Sequence, residues 1–147
     1  LPTMKTPAGV VVIGISCFFL AIGTLASPLH RPMLLGGVLL TGKPAAAWRV
    51  ALSLARCGIG YGLLKPLRFM WVLYLCAAGV AVISLTLNLL HDSRFWELFL
   101  LSGASSSAIP RLVAFAKEAH VLFILTHLLT AMYIARQQGY FRDKQPL

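Results

Sequence analysis

The chain has 147 residues, of which 59% are hydrophobic and only 12% are charged, and its mean hydropathy is +0.82. A soluble domain of this length is usually about a quarter charged, so the composition excludes an ordinary soluble globule and predicts a protein whose solvent is the lipid bilayer. The formal net charge of +9 comes from basic residues spread singly among apolar runs. That pattern favours anionic lipid headgroups over nucleic acid as the counter-charge.

Three cysteines, Cys17, Cys57 and Cys76, lie inside these apolar runs. They lack CxxC or CxxH spacing, which indicates small packing residues and no metal site.

Four apolar segments are long enough to cross a bilayer, for which about 20 residues are needed. They cover about 9–27, 46–64, 69–90 and 112–135. A cleavable signal peptide is the alternative for the first segment, because Lys5 precedes its apolar core. The length of that core, and the odd number of segments left after its removal, favour a span.

Two connections between the segments are distinctive. The apolar core of 32–44 is too short to cross a bilayer and is split by Gly36 and Gly37, which predicts an interfacial or re-entrant loop. The connection 91–110 is predicted to be a polar loop, and its aromatic patch 95–99 suits an anchor at headgroup level.

The segments predict an all-α, polytopic membrane protein in which 1–147 form one transmembrane domain, a four-helix bundle. Basic residues near the helix ends are counted for each side of the membrane. The side that holds residues 1–8, the 65–68 corner and the polar end 136–147 has six of them, and the other side has five. The other side also carries Asp92 and Glu97. We therefore expect both termini to be cytoplasmic, in a multi-pass protein of the inner membrane.

Small and polar residues recur along the predicted helices at helical spacing. In lipid, such residues let helices approach closely and hydrogen-bond to each other. Helix-packing roles are predicted for a set of glycines, a serine and an asparagine: Gly58, Gly60, Gly62, Ser84 and Asn88.

Arg56 lies near the middle of the second segment, where an unpaired charge costs at least about 2.5 kcal/mol. Glu118 is the only acid predicted within a span, so the sequence predicts an intramembrane ion pair between Arg56 and Glu118. The simpler interpretation is a pair that sets the bundle register. The alternative is a proton or ion path through Arg56, Glu118 and His120.

His120 and His127 are seven residues apart and therefore share one face of the last segment. Within a bilayer, histidine can ligate haem iron or the magnesium of chlorophyll or bacteriochlorophyll. In the other interpretation, which we favour, His120 and His127 only pack between helices and form hydrogen bonds.

Recognisable catalytic patterns are missing from the sequence. Gly58, Gly60 and Gly62 follow no predicted strand, so a dinucleotide fingerprint is excluded. The serines of 102–107 have no plausible acid–base partner. No catalytic residue, metal site or enzyme activity is predicted.

The run GYGLLKPLRFMWVLYLCAAGV, residues 60–80, and the closing run LLTAMYIARQQGYF carry a resemblance. The first resembles a recurrent hairpin in small four-helix bacterial membrane proteins without assigned activity, where a Gly-Tyr-Gly-Leu helix end meets a basic corner. The second is similar to their closing helix. The resemblance implies the architecture and transfers no functional residue. Pro66 and the charges within the spans depart from it.

These observations favour a non-catalytic accessory or scaffold subunit that packs against lipids and other integral membrane subunits of a larger complex. One alternative is a haem- or chlorophyll-binding subunit that uses His120 or His127. Another is a small ion or solute channel or transporter that uses Arg56 and Glu118.

Overall fold

The computed structural model describes residues 6–65 and 67–143, the last of these by its backbone alone. Within these residues the fold is mostly helical, with six helices and one short β-hairpin. In chain order the elements are α1 (Ala8–Ala26), β1 (Met33–Leu35), β2 (Val38–Leu40), α2 (Gly42–Leu64), α3 (Met70–Leu89), α4 (Asp92–Leu101), α5 (Ile109–Arg136) and α6 (Gln138–Asp143).

Three helices, α1, α3 and α5, are long and apolar enough to cross a membrane. The fourth predicted span corresponds to α2, which has 23 residues and is therefore longer than α1 or α3. Its three basic residues, Lys43, Arg49 and Arg56, lower its hydropathy below that of the other three helices.

Proline chemistry explains two helix boundaries. α1 ends at Ala26 because Ser27 precedes Pro28, and a residue before proline is driven to extended backbone; Ser27 has φ −70° and ψ 139°. α2 begins at Gly42, four residues before the predicted start, because Pro44 falls in its first turn, where a missing amide proton breaks no helical hydrogen bond.

The segment predicted as an interfacial or re-entrant loop, 32–44, contains the β-hairpin. β1 and β2 are antiparallel, with Met33 opposite Leu40 and Leu35 opposite Val38. Gly36 and Gly37 have φ of +58° and +79°. Two consecutive positive φ angles characterise a type I′ turn, which matches the twist of the strands and favours glycine.

The connection predicted as a polar loop, 91–110, contains α4. This helix is short and amphipathic: Phe95 is 1% exposed, whereas Trp96 on the other face is 42% exposed. α4 packs against α5 and the hairpin, so the burial of Phe95 stabilises this helix. The helix was not predicted because the residues on either side of it are polar.

The long helices form two antiparallel pairs. In the first pair, Gly14 of α1 meets Gly60 of α2, and Ser53 of α2 donates to the carbonyl of Ala21 at 3.2 Å. In the second pair, α3 runs antiparallel to α5: Tyr74 donates to Thr130 at 2.7 Å, and Asn88 contacts His120.

We call the two ends of the bundle the hairpin end, with β1, β2 and α4, and the corner end, with residues 65, 67–69 and α6. The two helix pairs meet in a buried apolar cluster close to the corner end. Its members are Val10, Leu63, Tyr74, Ala78, Ile134, Tyr140 and Phe141. Tyr140 also donates to Thr6 at 2.9 Å, which brings α6 beside the start of α1.

Candidate functional site

A polar cluster at the hairpin end fixes the hairpin to α3. The amide of Gly37 donates to Asn88 Oδ1 at 2.7 Å, and the amide of Gly36 donates to Ser84 Oγ at 2.9 Å. Asn88 Nδ2 donates to the carbonyl of Leu34 at 3.3 Å. Asn88 is 3% exposed. Ser84 and Asn88, predicted to pack helices together, therefore serve chiefly to hold the hairpin.

His120 joins the same cluster from α5. Its Nδ1 lies 2.8 Å from the carbonyl of Ala116, which can only accept, so Nδ1 carries the proton. Its Nε2 lies 3.3 Å from Asn88 Nδ2 and therefore accepts from that amide. The ring also meets Phe95 edge-on, with centroids 5.0 Å apart. Both ring nitrogens of His120 are thus engaged, Nδ1 within α5 and Nε2 with α3.

His127 differs from His120 in the state of its second nitrogen. Its Nδ1 donates to the carbonyl of Phe123 at 2.7 Å. Its Nε2 has no hydrogen-bond partner among the described residues and keeps a free lone pair in the neutral ring. Of the two histidines predicted as cofactor ligands, only His127 has a nitrogen ready to ligate.

Arg56 contacts α1. Its guanidinium donates to Thr24 Oγ1 at 2.5 Å and to the carbonyl of Leu20 at 3.3 Å. Side chains of a helix lean toward its N-terminus, so Arg56 extends toward the hairpin end, where Thr24 lies. The ionic partner predicted for Arg56 is replaced by a hydroxyl and a carbonyl of the neighbouring helix.

The predicted ion pair between Arg56 and Glu118 is not formed. Arg56 instead hydrogen-bonds to Thr24 and Leu20 of α1, and Glu118 is exposed on α5. The prediction failed because helix lengths alone do not reveal which helices lie side by side: α2 packs mainly on α1, and α5 packs mainly on α3.

Glu118 is exposed on α5 and has no hydrogen bond or ion pair within the described part of the chain. The adjacent Lys117 pairs with Asp92 of α4 at 2.5 Å, and Arg94 pairs with Glu97 at 2.8 Å. A shallow depression of about 400 Å³ on the outer surface of α5 is lined by Lys117, Glu118, Val121, Leu122 and Leu125.

The three predicted packing glycines of α2 have different environments. A Cβ on Gly60 would lie 2.8 Å from the carbonyl oxygen of Gly14, so this glycine permits a close approach of α1. Gly62 is covered by the Met70 side chain. A Cβ on Gly58 would meet nothing within 4 Å, so no described part of this chain packs closely on Gly58, and its packing role stays a prediction.

Arg49, a second cation of α2, hydrogen-bonds to the carbonyls of Arg31 and Pro32, each at 3.3 Å. These contacts tie the chain before β1 to α2. Its Nε is buried and has no hydrogen-bond partner in the described part of the structure.

Acidic side chains are unevenly divided between the two ends. The three acids with described side chains, Asp92, Glu97 and Glu118, lie toward the hairpin end. Basic residues lie at both ends. Among the described residues, the corner end carries Lys65, Arg68, Arg136 and Arg142, and the hairpin end carries Arg31, Lys43, Arg94 and Arg111. The Lys65 ammonium lies 5.1 Å from the ring centroid of Tyr61, and the Tyr61 hydroxyl raises the pKa of Lys65 by hydrogen bonding.

Two contacts between helices were not predicted from the sequence: Thr24 with Arg56, and Tyr74 with Thr130. Threonines at 24 and 130 are ordinary helix residues in the sequence, and only the register between helices assigns their partners. Among residues 6–65 and 67–143, no three His, Cys, Asp or Glu side chains are grouped as a metal site requires.

Comparisons with protein-family models, with curated proteins and with solved structures find no match to this chain. The resemblance of residues 60–80 to small four-helix membrane proteins therefore stays a prediction.

Proposed function

We propose that the chain is a multi-pass protein of the inner membrane that crosses the bilayer four times, with both termini cytoplasmic. The length of α2 supports the fourth crossing, because 23 residues extend about 34 Å, more than the hydrocarbon core. The hydrogen bonds of Arg49 and Arg56 lower the cost of their charges. The basic residues of the corner end favour the cytoplasmic side.

Within that membrane the protein acts as a non-catalytic accessory or scaffold subunit that packs against lipids and other integral membrane subunits. The supporting observation is that polar side chains between the helices form hydrogen bonds within the chain. Ser53, Arg56, Tyr74 and Asn88 all hydrogen-bond to neighbouring elements of the same chain. The outward surface of α5 is instead mainly apolar, and none of its most apolar 18-residue window is buried.

The face of α5 suited to another subunit lies around its outer depression. Leu122 is 66% exposed there, and Glu118 has no described partner at the hairpin side of the depression. A neighbouring transmembrane helix that carries a basic residue near headgroup level would complement both features. We assign this face to such a helix of another subunit.

Conduction of ions through this chain is a weaker hypothesis. A path through Arg56 and Glu118 needs the two residues in contact, but Arg56 hydrogen-bonds to α1 and forms no ion pair with Glu118. The third member of that path, His120, binds Asn88 and Ala116.

Cofactor binding is the second candidate, and the free Nε2 of His127 favours it. An imidazole whose Nδ1 donates to a backbone carbonyl presents Nε2 as a metal ligand, and the ring orientation is fixed by that bond. Haem or a chlorophyll would be held at His127 on α5.

Site-specific photo-crosslinking in native membranes tests the accessory role. A photoreactive residue at Leu122 is expected to give a discrete adduct with another membrane protein. The matched control is Val80 of α3, which is 68% exposed on an outward face. It is expected to give lipid adducts.

Two results would contradict the proposal. If Leu122 and Val80 both yield only lipid adducts, α5 faces bilayer and no subunit. If the Leu122 adduct has the mass of two copies of this chain, the partner is a second copy and the protein is a homo-oligomer.

Labelling with a membrane-impermeant thiol reagent tests the topology in a variant without Cys17, Cys57 and Cys76. A cysteine at Ser106 is expected to react in intact cells. A cysteine at Gln138 is expected to react only after the membrane is opened. Equal reactivity of the two positions in intact cells would contradict the four-span arrangement.

A further inference from the structure

A depression at the corner end lies between the start of α3 and α6. It has a volume of about 520 Å³, and its lining residues are Arg68, Phe69, Trp71, Val72 and Arg142. Arg68 comes from the corner that links α2 to α3, and Arg142 comes from α6. Two guanidinium groups from separate parts of the chain therefore border the same open space.

The charge of this depression has no described counter-charge. Arg68 and Arg142 are both exposed and have no ion pair with any described side chain. The three acids whose side chains are described lie toward the opposite end of the bundle. The fourth acid of the chain, Asp143, has a side chain outside the described residues. Guanidinium groups bind phosphate oxygens through two parallel N–H donors, which makes a phosphate the natural ligand.

The other lining residues are apolar or aromatic. Phe69 is 61% exposed and Val72 is 43% exposed, and exposed apolar residues continue along the outward face of α3 through Val80 and Ile83. Trp71 is half-buried beside them, and tryptophan concentrates at the headgroup level of membranes. The depression thus combines a cationic rim with a continuous apolar strip, which suits a ligand that has a phosphate and acyl chains.

We propose that this depression binds the phosphate of an anionic phospholipid, with its acyl chains along the outward face of α3. Arg68 and Arg142 hold the phosphate, and Phe69, Trp71 and Val72 contact the glycerol and upper acyl region. The proposal rests on the membrane arrangement proposed above, since it requires the corner end to lie at headgroup level. It does not depend on a partner subunit.

Quenching of Trp71 fluorescence by brominated lipids tests the site. The protein keeps Trp71 as its one tryptophan, with Trp48→Phe and Trp96→Phe. It is reconstituted in vesicles of phosphatidylcholine that contain either brominated phosphatidylglycerol or brominated phosphatidylcholine. Half-maximal quenching is expected at about a 25-fold lower mole fraction of the anionic lipid, since each of the two arginines contributes about fivefold to binding at an anionic surface.

Arg68→Gln and Arg142→Gln are each expected to reduce that preference by about fivefold, and the double variant is expected to abolish it. The matched control is Arg111→Gln, an exposed arginine at the other end of the bundle, which is expected to leave Trp71 quenching unchanged. A preference that survives in the double variant would overturn the site.

The remaining outcomes separate this proposal from the membrane arrangement. Equal quenching by both lipids overturns the lipid site alone. Absence of quenching by the neutral brominated lipid overturns the membrane arrangement, and the site with it. If excess inorganic phosphate removes the preference for the anionic lipid, the site recognises free phosphate and the lipid assignment is wrong.

Discussion

Asn88 binds the turn of the hairpin through Gly37, with 2.7 Å between Oδ1 of the asparagine and the glycine amide nitrogen. The same side chain donates to Leu34 of β1 and to His120 of α5. One buried amide therefore joins three elements. A two-stranded hairpin is at best marginally stable alone, so its position depends on this contact.

Replacing Asn88 by alanine is expected to release the hairpin while the long helices stay folded. The change removes three hydrogen bonds and leaves the Gly37 amide without its acceptor, which costs about 1–3 kcal/mol for a buried donor. In hydrogen exchange measured by mass spectrometry, segment 33–40 is expected to exchange at least about tenfold faster.

The control for Asn88 is Thr86→Val in the same helix. Thr86 is exposed and donates only to the carbonyl of Val82 one turn earlier, so exchange of the hairpin is expected to stay unchanged. Unchanged exchange in Asn88→Ala would show that the hairpin is held by other contacts.

The hairpin also shows what the sequence does and does not reveal. Hydropathy is a local property, so the apolar segments are readable from composition, and the four long helices begin and end within four residues of the predicted bounds, whereas α4 and α6 were not predicted. The pair Gly36-Gly37 between two apolar triplets is typical of a β-hairpin. We predicted an interfacial or re-entrant loop instead, because the apolar core of 32–44 is too short to cross a bilayer. The residue that binds the hairpin turn, Asn88, is 51 positions away from Gly37 in the chain. Their contact depends on tertiary packing and cannot be read from the local sequence.

Gly60 and Gly58 occupy the same helix but are expected to respond oppositely to alanine. A Cβ at Gly60 would lie 2.8 Å from the Gly14 carbonyl oxygen, and backbone of a packed helix moves only at a cost. We expect Gly60→Ala to lower the free energy of unfolding by about 1–3 kcal/mol, as overpacking does.

Gly58→Ala is the matched control because its added methyl group would meet nothing within 4 Å. Alanine favours helix over glycine by up to about 1 kcal/mol, so this variant is expected to be neutral or more stable. Thermal unfolding in detergent measures both. Equal destabilisation by the two substitutions would contradict the close contact of α1 and α2 at Gly60.

An absorption spectrum of the protein purified from its native membrane distinguishes the two candidate functions. The accessory role predicts no Soret or Qy band. The cofactor role predicts a band that is lost in His127→Leu and retained in His120→Leu, because only His127 has a free ring nitrogen. A band that depends on His120 would contradict the hydrogen bonding of that ring to Asn88.

The contact between Arg56 and Thr24 predicts that these two residues are energetically coupled. The sequence predicts that coupling between Arg56 and Glu118 instead. In a double-mutant cycle of Arg56→Met and Thr24→Val, the two changes are expected to be non-additive by about 1 kcal/mol, since each removes the same hydrogen bond.

The parallel cycle of Arg56→Met with Glu118→Gln is expected to be additive within about 0.5 kcal/mol, because Arg56 bonds to Leu20 and Thr24 of α1 and shares no described partner with Glu118. Unfolding free energies measured by denaturant titration in mixed micelles provide both coupling values. The reverse result, coupling to Glu118 and additivity with Thr24, would contradict the hydrogen bond between Arg56 and Thr24. Arg56 would then lie beside α5, and an ion path through it would regain a physical basis.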